Sequence, residues 1–325
     1  MSKKKKNKIA PKREDLIQAT VIRSLGSSSR VLTKTGEEYE CIIRGKFRIK
    51  GLIATNPVAV GDEILFAKTE EEGKGIIHEI LERKNYILRQ AIGHKHKVHI
   101  LAANIDQAIL LYTLDSPRTS TGFADRFLVV AEAYHIPIQI VINKVDLIKT
   151  KEEKNRLEEI IQIYRNIGYS VTQLSALDAK YVTQVQSLLA NKRSFIGGHS
   201  GAGKSTLINL IDPDLNIKTA EVSDYHQKGI HTTTYAEMHP LKTGGYIIDT
   251  PGIKEWGIAD FTAEELGHYF PEFLERRAYC KFNDCRHISE PACAIREAFE
   301  KGEIPGSRYK NYQKMLKEIA ENTSF

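Results

Sequence analysis

The chain has 325 residues, 41% apolar and 27% charged, with a formal net charge of +6. That length suits two or three domains, and the composition is that of an ordinary globular protein. No apolar run approaches the roughly 20 residues of a membrane helix. The basic N-terminus carries neither the apolar segment nor the cleavage site of a secretory signal, so a cytoplasmic chain is expected.

Residues 1–17 read as a basic tail, with Lys3–Lys6 consecutive and Lys8, Lys12 and Arg13 following. Such a run is either a solvated, disordered tail or a segment that holds a polyanion by counterion release. Residues 18–82 read as short strands at 19–25, 30–34, 38–43, 46–49, 58–66 and 76–81, separated by turn signals such as Thr35-Gly36 and Gly61-Asp62. This pattern predicts a small β-barrel, of OB type in the first instance, with another small barrel as the alternative. Arg44, Lys46, Arg48 and Lys50 alternate along one of these strands and share one side, opposite Phe47 and Ile49. That basic face is either a solvated exterior or an RNA-binding surface of the kind such barrels present.

Residues 83–104 read as a connector rich in Arg, Lys and His. From 105 to 255 strands alternate with helices, which predicts a mostly parallel sheet covered by helices. The strands are expected at 105–114, 137–142, 169–174, 193–196, 233–239 and 245–249, and helices near 122–134, 151–167 and 180–190. Residues 256–325 read as a helical segment around a cysteine cluster.

Gly198-His199-Ser200-Gly201-Ala202-Gly203-Lys204-Ser205 fits G-x-x-x-x-G-K-[ST] between a β-rich run and a helix start. Glycines there let backbone N–H groups and a helix N-terminus face phosphates. Gly197 and Thr206 flank the loop and join its phosphate-binding set. Lys204 is expected on the β- and γ-phosphates, and the Ser205 hydroxyl on Mg²⁺. Asn143-Lys144-Val145-Asp146 follows the apolar run Ile138–Ile142 and names the base. The Asp146 carboxylate can accept from guanine N1–H and the 2-amino group, and adenine offers neither donor. Asn143 would steady the loop, and the Lys144 stem would lie over the ring. Ser175-Ala176-Leu177 resembles a second, weaker base-side loop.

Asp249-Thr250-Pro251-Gly252 ends another apolar strand. Asp249 suits Mg²⁺ coordination, directly or through water, and the Gly252 N–H suits the γ-phosphate. Among the threonines at 232–234, Thr233 is the nominal Mg²⁺ ligand, although the sequence does not single one out. Ras-like GTPases place a water-orienting glutamine after the DxxG glycine, and here that position is Ile253. His231, next to the threonines, is the candidate catalytic residue, since a neutral imidazole can accept a hydrogen bond from water. The alternative is that His231 merely shapes the loop or meets solvent, while a group outside the chain orders the water.

Cys280, Cys285, His287 and Cys293 supply three thiolates and one imidazole within 14 residues. A closed Cys₃His shell favours one structural Zn²⁺ per chain. Tyr309, Tyr312, Leu316 and Ile319 form one helical stripe, read as packing, and Arg308, Lys310, Lys314 and Lys317 beside it are candidates for phosphate contacts.

The order of motifs is permuted: NKVD and SAL precede the P-loop, the threonines and DTPG. With the barrel before them and the Cys/His cluster after, nearly the whole chain resembles the RsgA (YjeQ/YloQ) family of circularly permuted GTPases. The resemblance implies an OB-fold, a GTPase domain and a zinc domain with these four ligands. It further implies GTP hydrolysis to GDP stimulated by the small ribosomal subunit, a role in late maturation of that subunit, and rRNA binding by the flanking domains. A monomer is expected. The rival expectation is a GTP-gated RNA-binding assembly module whose hydrolysis is incidental.

Overall fold

The computed structural model describes residues 11–43, 57–90, 98–215, 236–249 and 261–323. The expected strand at 46–49 and most of the basic tail lie outside the described residues.

Five strands, β1 (Ile17–Ser24), β2 (Ser28–Thr33), β3 (Glu38–Ile43), β4 (Glu63–Lys68) and β5 (Lys74–Ile80), run in the order β1-β2-β3-β5-β4. β4 returns to pair with β1, which closes the OB-type barrel. Burial alternates along β3 and β4, so Tyr39, Cys41, Ile64 and Phe66 point inward with Val21, Val31 and Ile77. Cys41, the cysteine outside the metal cluster, is therefore a core residue. The strand expected over 58–66 begins only at Glu63. Gly61 turns the chain at φ +87°, and a Cβ there would lie 2.1 Å from the Ala103 carbonyl oxygen. The Asp62 carboxylate then accepts from the Ala59 N–H at 2.8 Å and from Arg83 at 2.6 Å.

The connector over 83–104 is not featureless. It holds an antiparallel pair, β6 (Tyr86–Gln90) and β7 (Val98–Ala103). Its density of cations conceals the apolar positions Ile87 and Ile100–Ala103, all of which are buried.

Next come β8 (Gln107–Thr113), β9 (Ile138–Asn143), β10 (Ser170–Gln173), β11 (Arg193–Gly197), β12 (Glu237–Pro240) and β13 (Tyr246–Asp249). They lie in the order β10-β9-β8-β11-β13-β12, all parallel except β12, which runs antiparallel to β13. Every residue of β8 is buried, as a central parallel strand requires. The helices α1 (Thr121–Ala133), α2 (Lys151–Asn166), α3 (Val182–Leu189) and α4 (Lys204–Ile211) complete this domain. α2 starts where Thr150 and Glu153 form a capping box. Barrel and sheet are continuous through β1 and β12, paired at Arg23 and Glu237. Arg193, at the start of β11, adds an ion pair to Glu63 and a bond to the Gly61 carbonyl at 3.3 Å.

The C-terminal part holds α5 (Pro271–Arg277), α6 (Ala294–Glu300) and α7 (Gly306–Thr323). Tyr309, Tyr312, Leu316 and Ile319 are buried in its core, so the stripe is packing. Arg308 corrects the sequence expectation. Its side chain is 0% exposed and reaches Asp125 of α1 at 2.8 Å and Glu272 of α5 at 2.7 Å, leaving it no route to an external phosphate. Asn311 and Tyr164 also donate to Asp125, at 2.6 and 3.1 Å, so every partner in this buried network is bonded.

Candidate nucleotide site and metal cluster

The P-loop leaves β11 at Gly197 and enters α4 at Lys204. Space dictates the glycine that precedes it, because a Cβ at Gly197 would lie 2.0 Å from the Phe127 ring of α1. Gly203 combines φ +96° with a Cβ position 2.4 Å from Asn143 Nδ2. A side chain there would strain the backbone and break the contact with the base-side loop. Lys204 Nζ donates to the carbonyls of Gly198 at 2.7 Å and His199 at 2.9 Å, which lays the ammonium along the loop it would share with phosphates. Ser205 and Thr206 occupy the first turn of α4. Gly201 and Ser200 lie at the loop's crest, and Ala202 is buried beneath it.

Asn143 ends β9 and is 1% exposed. Its amide nitrogen donates to the Ala202 carbonyl and its amide oxygen accepts from the Ala176 N–H, both at 2.9 Å. One side chain thereby ties the NKVD loop to the P-loop and to the Ser175-Ala176 loop. Val145 N–H adds a bond to the Leu174 carbonyl at 3.3 Å, and Ser175 is buried with its hydroxyl accepting from Leu177 N–H. Lys144 adopts a left-handed conformation, φ +63°, and its Nζ donates to the Ser116 carbonyl at 2.6 Å. Asp146 Oδ1 is buried and has no hydrogen-bond partner. An acceptor withdrawn from water without a donor is costly, and it points to a ligand that brings donors.

Asp249 ends β13 beside the P-loop strand, its backbone paired with Glu237. Its side chain lies outside the described residues, as do His231, Thr233, Gly252 and Ile253. The basic set Arg44, Lys46, Arg48 and Lys50 falls outside them too.

Two contacts were absent from the sequence reading. The Phe123 ring of α1 stacks on His199 with centroids 4.0 Å apart. The loop before α1 supplies Ser116 to Lys144, and it places Pro117 Cδ 3.5 Å from where a Gly201 Cβ would be. Neither contact has a local motif, because each partner lies far off in sequence.

The ligand atoms of Cys280, Cys285, His287 and Cys293 all lie within 4.8 Å of one another. His287 Nδ1 is 3.7 Å from Cys280 Sγ and 3.4 Å from Cys293 Sγ, and the two sulfurs are 4.0 Å apart. A tetrahedral zinc with ordinary Zn–S and Zn–N bonds needs edges of about 3.5–3.8 Å, so the donor set fits. Burial pushes the Cys285 thiol up to about 12 and His287 down to about 4. The imidazole is thus kept neutral, as a ligand must be, whereas the thiolates need a cation beside them. Tyr309 and Tyr312 of α7 donate to the carbonyls of His287 at 2.5 Å and Arg286 at 2.8 Å, which holds the segment in place. The Glu290 carboxylate accepts from the N–H groups of Arg286, Ile288 and Ser289; against the upward push of burial, these bonds bring it down to about 2.

Comparison with known proteins agrees with this arrangement. Residues 80–259 match the RsgA GTPase family model, and residues 18–77 match the RsgA N-terminal domain. A relative from Christiangramia forsetii, named small ribosomal subunit biogenesis GTPase RsgA, is 49% identical over 94% of this chain and 98% of its own. A Bacteroides fragilis protein of the same name is 47% identical over the same shares. Among solved structures, YjeQ from Thermotoga maritima matches with a TM-score of 0.75 and 36% identity, covering 94% of this chain and 99% of that one. YloQ, described as a circularly permuted GTPase, matches with a TM-score of 0.72 and 30% identity over 96% and 98%. The chain belongs to the RsgA GTPase family and is a GTP-hydrolysing enzyme.

Proposed function

We propose that this enzyme couples GTP hydrolysis to late maturation of the small ribosomal subunit, which stimulates it, and that its flanking domains bind rRNA. The observation that carries the nucleotide reading is the buried, partnerless Asp146 Oδ1 on the loop that Asn143 locks to the P-loop. Guanine supplies the two donors that this carboxylate lacks. The ribosomal reading draws on the names of relatives that match over almost their whole length.

In this reading Lys204 leaves the carbonyls of Gly198 and His199 for the β- and γ-phosphate oxygens, and the loop's N–H groups receive the same anion. Ser205, Asp249 and one threonine, nominally Thr233, would hold Mg²⁺, which supplies charge neutralisation between the β- and γ-phosphates. Water attacks the γ-phosphorus in line, the bond to the β-bridging oxygen breaks, and GDP and phosphate leave. His231 accepts a hydrogen bond from that water and orients it, and Gly252 N–H meets the γ-phosphate. The Cys₃His cluster holds one structural zinc. Arg44, Lys46, Arg48 and Lys50 face rRNA. Among the described residues no helix is long and apolar enough to cross a membrane. The enzyme acts as a cytoplasmic monomer.

Turnover of GTP with and without purified small subunits tests this directly. Stimulation in the wild type, lost in His231→Ala while subunit and GTP binding persist, is the expected result. Unstimulated wild-type turnover would sink the ribosomal reading. Full stimulation of the alanine variant would remove His231 from the chemistry.

A further inference from the structure

The loop between β8 and α1, residues 114–120, touches the nucleotide site through Ser116 and Pro117. It also lines a cleft of about 590 Å³ between the GTPase domain and the C-terminal domain. Arg118 comes from the loop, Arg156 and Glu159 from α2, and Lys310 from α7, over a floor that includes Tyr112 and Ile160.

Positive charge predominates at this rim. Arg156 is partly offset by Asp115 at 3.8 Å, and Glu159 is the acidic lining residue. Arg118 and Lys310 are exposed, and neither forms an ion pair with a described residue. Two long, solvated cations therefore stand on opposite sides of a domain boundary. That boundary is fixed from behind, because Arg308 joins α7 to Asp125 of α1 and Asn311 donates to Thr121 at 3.2 Å. The cleft is thus preformed, with cations at its mouth in place of the mostly apolar enclosure of a small-molecule pocket.

We infer that this cleft docks the phosphodiester backbone of RNA, and that loop 114–120 passes its occupancy to the nucleotide site. Successive phosphates suit flexible cations that need charge but no base-specific geometry. The inference rests on the proposed action at the ribosomal subunit. Phosphate drawn to Arg118 bears on the chain segment that carries the Ser116 carbonyl and Pro117. Movement there alters the anchor of Lys144 on one side and the packing of the P-loop on the other.

The test is the full-length double variant Arg118→Gln/Lys310→Gln, measured beside wild type. Wild-type stimulation by small subunits is the prior control: its absence would defeat the functional reading, whereas the cleft is judged on its own by binding to protein-free rRNA. Given stimulation, the variant should keep wild-type zinc content, GTP affinity and basal turnover. Its subunit affinity should fall by about 25- to 60-fold at 0.1 M salt, with the log–log salt slope shallower by about 1.4–1.8, the range for two lost phosphate contacts on single- or double-stranded nucleic acid. Binding to protein-free rRNA from the same subunits should fall as well, and stimulated turnover should drop with it. An unchanged slope and unchanged stimulation would overturn the inference. Loss of subunit binding with intact binding to protein-free rRNA would overturn it too, by assigning the cleft to an acidic protein.

Discussion

Asp146→Asn is the sharpest perturbation available, since it exchanges one atom at a site where the structure leaves an acceptor without a donor. In the wild type Asp146 Oδ1 is buried and unpartnered, so the nucleotide-free protein already bears the desolvation cost. Guanine relieves it through N1–H and the 2-amino group, both in hydrogen bonds to a charged acceptor. Asparagine keeps one acceptor, loses the charge and turns an NH₂ group towards a donor. The loss in GTP affinity is then about 1–3 kcal/mol, or about 5- to 150-fold in Kd. Xanthine carries a carbonyl where guanine carries the 2-amino group, so the asparagine donor should find a partner there. Competition titrations with GTP, ATP and xanthosine triphosphate on both proteins read this directly. The variant should bind GTP more weakly, bind xanthosine triphosphate better than wild type does, and still reject ATP. Its nucleotide-free form should melt no lower than wild type, because Oδ1 has no hydrogen bond there to lose. Equal GTP affinity in the two proteins would refute the assignment of the base to Asp146.

Three further outcomes are expected. Cys285→Ser should release the metal and expose residues 280–293 to hydrogen exchange while GTP binding persists; wild-type protein free of zinc by elemental analysis would defeat the idea. Arg308→Met strands two buried carboxylates, Asp125 and Glu272, and should cost about 3–5 kcal/mol in denaturant unfolding. Adding Asp125→Asn and Glu272→Gln should recover most of that loss, and no recovery would mean that packing dominates. Glu63 is held below the usual carboxylate range: burial pushes it up, but bonds from Arg193, Thr20 and Gln18 outweigh that. Its contribution is therefore present above the unfolded carboxylate value and fades as pH falls through the folded one. The melting-temperature gap between wild type and Glu63→Gln should accordingly shrink below about pH 4.3, and a gap constant with pH would contradict this.

Legibility followed sequence distance. The P-loop and the Cys/His cluster are each written within one short segment, so spacing alone conveys the residue set. The alternation of strand and helix patterns likewise conveyed the parallel sheet, because fully buried strands such as β8 read as unbroken apolar runs. What failed to show was pairing across the chain. Arg308 and Asp125 lie 183 residues apart, and an arginine on a lysine-rich helix reads as solvated until its partners are seen. Phe123 reads as one more apolar residue of α1, with nothing to mark its stacking on His199. In residues 83–104 the cations mask the buried apolar positions Ile87 and Ile100–Ala103, so a paired β6 and β7 read in sequence as a connector. The motif gives Asn143 a steadying role, but its two bonds, to the Ala202 carbonyl and from the Ala176 N–H, join loops that lie far apart in sequence.

Permutation changes what these long-range contacts do. In this order the DTPG strand leads towards the C-terminal domain, while the strand before α1 lies beside the P-loop strand at the sheet's centre. α1 then meets both ends of the problem. Phe123 stacks on the P-loop histidine, Phe127 fills the space that Gly197 leaves, and midway between them in sequence, about half a turn round the helix, Asp125 grips Arg308 of α7. α7 in turn holds the metal segment through the hydroxyls of Tyr309 and Tyr312. A continuous set of buried contacts therefore runs from the cysteine cluster to the phosphate loop. Contiguity alone is not coupling, which needs an element with two states that both ends bias. The Arg308 network argues against α1 being that element, because a fully bonded buried ion cluster resists displacement. Among the described residues, the element left to switch is the loop carrying Ser116, which anchors Lys144 beside the nucleotide site. A partner that grips the C-terminal domain would then act by holding α1 still while that loop rearranges around GTP.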